Sequence, residues 1–87
     1  DWSSDVCSSD LELKPGARLK GVPHVPHTKE YLHCVKGSIA LFAEGQRFSL
    51  EAGDVLAFPG DIPHSYYNPG KVTNLCFSVV ALTLRDG

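Results

Sequence analysis

The 87-residue chain has no methionine, a single tryptophan and three cysteines, and its formal charge is only −2. No run approaches the roughly 20 apolar residues of a membrane-spanning helix, so no such helix is expected. No basic patch with interleaved aromatics occurs, which sets aside nucleic-acid contact by these residues themselves. There is no Cys-x-x-Cys pair, no Ser/His/Asp or Cys/His arrangement, and no phosphate-binding glycine loop. Apolar residues nowhere recur at helical spacing. Repeats and low-complexity tracts are also lacking.

The first eleven residues, Asp1 to Leu11, do not read like the rest. They resemble a translated frame of a common sequencing adapter. They are expected to be a non-native segment joined to a truncated reading frame, which agrees with the lack of methionine. Residues 12–87 are then the domain. Setting the segment aside moves the formal charge from −2 to +1, because Asp1, Asp5 and Asp10 have no compensating base there. Trp2 and Cys7 leave the inventory with it. A domain this small lies near the lower end of what one core can stabilise, so a homodimer is expected. Cys34 and Cys76 sit among apolar residues and read as buried free thiols. Free thiols fit a reducing cytoplasm. Their spacing gives no support to a regulatory disulfide.

What is present is a series of short β-rich runs separated by turn chemistry. Ala17 to Lys20 follows Pro15-Gly16. Tyr31 to Val35 ends at Lys36-Gly37. Ile39 to Ala43 and Arg47 to Leu50 flank Glu44-Gly45. Val55 to Phe58 and His64 to Tyr67 flank a Pro59-Gly60-Asp61 turn. Val72 to Leu84 is long for one strand, and its apolar parity is expected to switch near Val79-Val80 at a bulge. Pro23 and Pro26 remove two ladder donors around His24 and suit an edge or a barrel mouth. The glycines at 37, 45, 53, 60 and 70 read as turn formers. Phe42, Phe48, Phe58 and Phe77 read as core. The fold class is all-β and antiparallel.

Alternate residues of a strand share a face. His64, Tyr66 and Asn68 therefore point one way, as do Glu30, Leu32 and Cys34, while His33 faces oppositely. If both strands line the interior, His64 and Glu30 converge with His24. Two imidazoles and one carboxylate suit iron, manganese, nickel or zinc with open positions. The same groups in a metal-free pocket would hydrogen-bond an organic ligand. An inward Tyr66 must find a partner for its hydroxyl. Asn68, before Pro69, reads as an Asx-turn residue.

Gly53, Pro59, His64 and Asn68 match the second motif of the cupin superfamily, with Asp61 where a second glycine is usual. His24, Glu30 and Gly37 match the first motif, with Pro26 where its second histidine stands and His27 one residue late. The resemblance implies a small antiparallel double-stranded β-helix, or jelly-roll barrel. It implies ligand-binding roles for His24, Glu30, His64 and Tyr66. It implies metal-ligating roles for His24, Glu30 and His64, with His27 a weak fourth candidate. No catalytic residue is assigned.

The runs His27-Thr28-Lys29-Glu30-Tyr31 and Pro63-His64-Ser65-Tyr66-Tyr67-Asn68 are further similar to the C-terminal cupin domains of bacterial XRE-type helix-turn-helix regulators. That resemblance implies a domain that senses a small-molecule effector and dimerises in the cytoplasm. DNA would be contacted only through a domain upstream of Glu12. The alternative is a stand-alone metal-dependent cupin enzyme of the dioxygenase, isomerase or decarboxylase type.

Overall fold

The structure, a computed structural model, describes residues 6–82, with side chains from Ser8 onward. Residues 1–5 of the adapter-like segment, and Leu84 of the long C-terminal run, lie outside the described residues.

Eight strands account for the described chain: β1 (Val6–Leu11), β2 (Arg18–Lys20), β3 (Thr28–Lys36), β4 (Ser38–Ala43), β5 (Gln46–Glu51), β6 (Val55–Pro59), β7 (His64–Tyr67) and β8 (Leu75–Leu82). They form two four-stranded antiparallel sheets in the orders β1-β8-β3-β6 and β2-β7-β4-β5. This is the antiparallel all-β class expected from the turn spacing, in the jelly-roll architecture that the resemblance implies.

The alternation that defines a half-buried strand runs clearly along β3. Glu30, Leu32 and Cys34 are buried, while Lys29, Tyr31 and His33 are exposed. The core is the meeting of two inner faces. Leu32, Cys34, Phe58 and Cys76 come from one sheet; Ile39, Leu41, Leu50 and Tyr66 come from the other. Each alternates with outward residues, as packed sheets require.

Two expectations are corrected. The parity of β8 does not switch. Cys76 and Ser78 are buried and face inward, Phe77 between them is exposed, and the register with β1 is unbroken from Val6↔Ala81 to Leu11↔Cys76. The irregularity lies in β3 instead, between Cys34 and Lys36. The inward Cys76 and Ser78 of β8 stand opposite Cys34 and Leu32 of β3, so a cysteine and a serine occupy positions where an apolar pattern was sought. Of the four phenylalanines, Phe58 is core and Phe48 packs against it, but Phe77 is exposed. Phe42 lies on the outer face, where the guanidinium carbons of Arg18 and Arg47 stand 5.4 and 5.6 Å from its ring centroid. Cation–π contact gives an aromatic ring a role outside the core.

Two buried asparagines tie the loops at one end of the sandwich. Asn68 donates through Nδ2 to the carbonyls of Leu13 and Val72, and its Oδ1 accepts from Gly70 N–H at 2.8 Å, the Asx turn expected. Asn74 accepts from Leu13 N–H and donates to Ser38 O, both at 2.9 Å.

Candidate functional site

At the other end of the sandwich the two sheets supply opposite walls of one polar cluster. Glu30 projects inward from β3, between Phe58 on β6 and Val80 on β8. His64 and Tyr66 project inward from β7, opposite Ala43 and Leu41 of β4. The sequence placed these three side chains on inward faces, and the structure brings them together. Tyr66 OH crosses the sandwich and donates to Glu30 Oε2, and Ser78 Oγ donates to the same oxygen at 2.6 Å. Burial, with the Glu30 carboxylate next, pushes the Tyr66 phenol well above its ordinary range, so Tyr66 remains a donor.

His24 arrives from a loop. The segment between β2 and β3 forms no strand, as its two prolines suggest. His24 N–H donates to Gly60 O at 2.8 Å, which lays the loop over the β6–β7 turn. Its side chain is 39% exposed at the mouth of the site, and its Nε2 lies 3.7 Å from Glu30 Oε1. His27 is exposed, with φ 69°, and is not among the residues lining the cavity.

The local chemistry of His64 decides what the site lacks. Its Nδ1 lies 2.8 Å from the carbonyl of Ile62. A carbonyl only accepts, so Nδ1 carries a proton, and Nε2 is left as the ring nitrogen that faces the cavity. That nitrogen faces Glu30 Oε1 at 3.6 Å, with both side chains 1% exposed. Whenever the ring is neutral, two acceptors confront each other there with no donor between them. Oε1 is the one buried side-chain polar atom without a hydrogen-bond partner among the described residues. A buried acceptor left unmade costs roughly 1–3 kcal/mol, and a water, an ion or a ligand group is the usual partner at a gap of this kind.

The gap opens into a cavity of about 250 Å³ whose apolar walls include Leu11, Leu19, Val22 and Val80. Among the described residues, no group of three or more His, Cys, Asp or Glu side chains is gathered closely enough to hold a metal ion. The donor types suit a divalent metal; their present spacing gathers them only in pairs about Oε1. A wider groove of about 550 Å³, lined by Arg18, Lys20 and Phe42, lies outside the second sheet and holds no unpartnered buried group.

Two contributors to the site had no sequence signal. Ser78 was masked by the apolar neighbours that surround it in β8. Gly21 lies outside every turn motif, yet a Cβ there would stand 2.3 Å from His64 Nε2, so only glycine allows the ring its place. Gly60 is a related case. A Cβ there would lie 2.6 Å from Thr28 Oγ1, so its need is close approach as well as a turn.

A family profile described as Cupin domain matches residues 9–80. Among curated proteins, the polyketide synthase CurC of Streptomyces cyaneus is 31% identical over 58 residues, covering 67% of this chain and 37% of that protein. The chain thus spans little more than a third of that relative. Among solved structures, the Cupin_2 domain of an XRE family transcriptional regulator from Enterobacter cloacae superposes with TM-score 0.86 and 22% identity, over 99% of this chain and 88% of that one. An HTH_3 family transcriptional regulator from Vibrio cholerae superposes with TM-score 0.81 and 23% identity, over 91% of this chain and 44% of that one. At these identities the structural likeness is one of fold.

Proposed function

We propose, since this chain belongs to the cupin domain family, that it is the small-molecule-sensing and dimerising domain of a bacterial helix-turn-helix regulator. The regulator's DNA-binding half would precede Glu12, and the protein would work in the cytoplasm. The observation that carries the sensing role is Glu30 Oε1, buried without a hydrogen-bond partner and facing His64 Nε2 in a small, largely apolar cavity. An effector that offers a hydrogen-bond donor to both atoms would complete the site. His24 at the mouth and Tyr66 behind Glu30 would orient it. Because the same strands span the sandwich, a ligand bound between the sheets would favour one relative arrangement of them, and with it one dimer geometry. The fold likeness to the Cupin_2 domain of an XRE family transcriptional regulator, over nearly the whole of both chains, supports this reading.

The dimer face we favour is the outer face of the β1-β8-β3-β6 sheet. Tyr31, Val55 and Phe77 are exposed there, and the register sets Val55, His33 and Phe77 in one row across three strands. Contiguous exposed apolar groups are characteristic of interaction sites. Phe77→Lys should convert a dimer to a monomer in light scattering while leaving the circular dichroism spectrum intact.

The sensing role is tested by thermal shift against a metabolite library. A compound that raises Tm in the native chain should have no effect on His64→Ala, and no compound is turned over. A shift that survives in that variant would place the ligand elsewhere. A read through the locus upstream of the Glu12 codon should find a helix-turn-helix frame. A start codon directly ahead would favour a free-standing cupin.

A second reading, a small metal-dependent cupin enzyme, draws on one specific observation. The Nδ1–H bond to Ile62 O is the outer contact that typically fixes a metal-ligating histidine. His24, Glu30 and His64 would be the ligands, and the metal would supply Lewis acidity. Iron, manganese, nickel or zinc recovered at about one per chain would favour it.

A further inference from the structure

At the end of the sandwich remote from Glu30, two thiols lie directly opposite each other. Cys34 on β3 and Cys76 on β8 are register partners, and both are completely buried and free. The backbone shows which kind of pair they make. Cys34 N–H donates to Asp54 O at 3.0 Å, and Cys34 C=O accepts from Gly53 N–H at 2.8 Å. Both main-chain groups of Cys34 therefore point away from β8. Facing β8, Cys34 stands in a non-hydrogen-bonded pair, the kind that brings opposite Cα atoms to about 4.5 Å and side chains closest. That separation falls within the roughly 4.4–6.8 Å spanned by disulfides. The side chains are neighbours, since each thiol is among the causes of the other's shifted titration. The Cys34 thiol in turn is directed at Gly37 O, 3.4 Å away.

We propose that Cys34 and Cys76 form a latent cross-strand disulfide site that closes when the chain folds in the presence of a small disulfide oxidant. In the closing step both S–H bonds break, an S–S bond forms, and two protons and two electrons pass to the oxidant. With oxidised glutathione the products are the Cys34–Cys76 disulfide and two glutathione thiols. Burial pushes both thiols up, Cys76 to about 12, so neither is a ready thiolate in the folded chain. The bond is thus made during folding or local opening, and the folded domain keeps whichever state it acquired. Closing it locks the register between the strand that carries Glu30 and the strand that carries Ser78.

The test uses the full chain with Cys7→Ser, so that only the two opposed thiols remain. The denatured chain is refolded in a mixture of reduced and oxidised glutathione and then examined by intact mass and peptide mapping. The expected product is a monomer lighter by two hydrogen atoms, with Cys34 and Cys76 in one linked peptide pair. The closed loop of 42 residues should raise Tm by an amount on the order of 10 °C, reversed by dithiothreitol. In the same refolding, Cys34→Ala and Cys76→Ala should each show no intramolecular loss of hydrogen and no oxidant-dependent Tm rise. A refolded chain that keeps two free thiols, retains glutathione, or forms only intermolecular bridges would overturn the proposal. These mass readouts hold even if a single-alanine variant does not fold.

Discussion

The two ends of the sandwich bury polar groups in opposite ways. At one end Asn68 and Asn74 are wholly enclosed, and their amides bond to loop carbonyls and N–H groups on all the neighbouring segments. At the other, Glu30 is as deeply buried, but only one of its oxygens is bonded. A satisfied buried amide holds loops in place. A half-satisfied carboxylate in a cavity is energetically incomplete by itself and leaves an acceptor for water or a ligand to fill. Burial alone does not separate structure from function here; the count of unmade bonds does.

The comparison is broken most severely at the satisfied end. Asn68→Ala removes three part-buried hydrogen bonds and leaves two carbonyls and the Gly70 N–H without that partner, so it should cost about 3 kcal/mol in urea denaturation, a large share of the stability of a domain this small. A cost below about 1 kcal/mol would mean that water replaces the amide freely. Next in size is removal of residues 1–11. β1 covers the edge of β8 along six residue pairs. Deleting it should expose the β8 edge and produce self-association visible by light scattering.

Alkaline pH probes both ends together. The unfolded chain releases the Cys76 proton near the ordinary 9.0, while the folded chain holds it to about 12. Above pH 9 the unfolded state therefore binds fewer protons, so this stabilisation is complete below pH 9 and is lost as pH rises toward 12. Tyr66, also raised, extends the loss above its ordinary 10. Tm measured from pH 8 to 12 should fall, and Cys76→Ala should flatten the lower part of the curve. The smallest stability effect is expected where the functional effect is greatest. In Glu30→Gln the amide oxygen can still accept from Tyr66 and Ser78, while the new NH₂ can donate to His64 Nε2. Stability should stay within about 1 kcal/mol of the native chain, and the ligand-induced thermal shift should vanish. A loss as large as that of Asn68→Ala would make Glu30 a structural residue.

Much of the strand pattern was legible because turn chemistry is local. Pro59-Gly60-Asp61 and Glu44-Gly45 punctuate the chain whatever surrounds them, and β7 begins and ends where the sequence places it. Period-2 alternation likewise put Glu30, His64 and Tyr66 on inward faces. Alternation failed where the interior is not apolar. In β8 the inward residues are Cys76 and Ser78, and the outward Phe77 misleads any reading based on hydrophobicity. Phe42 misled for a related reason, since two arginines make the outer face a favourable place for a ring.

The sequence by itself determined the all-β class and the inward placement of the three central site residues, because both follow from local turns and strand period, while the family was legible through the resemblance of its two motifs. Only the tertiary structure decided that Ser78 and Tyr66 converge on one oxygen of Glu30, that Ile62 O sets the tautomer of His64, and that Cys34 meets Cys76 in a non-hydrogen-bonded pair. Those facts depend on register and on the separation of two sheets, which are properties of residues far apart in the chain and close only after it folds.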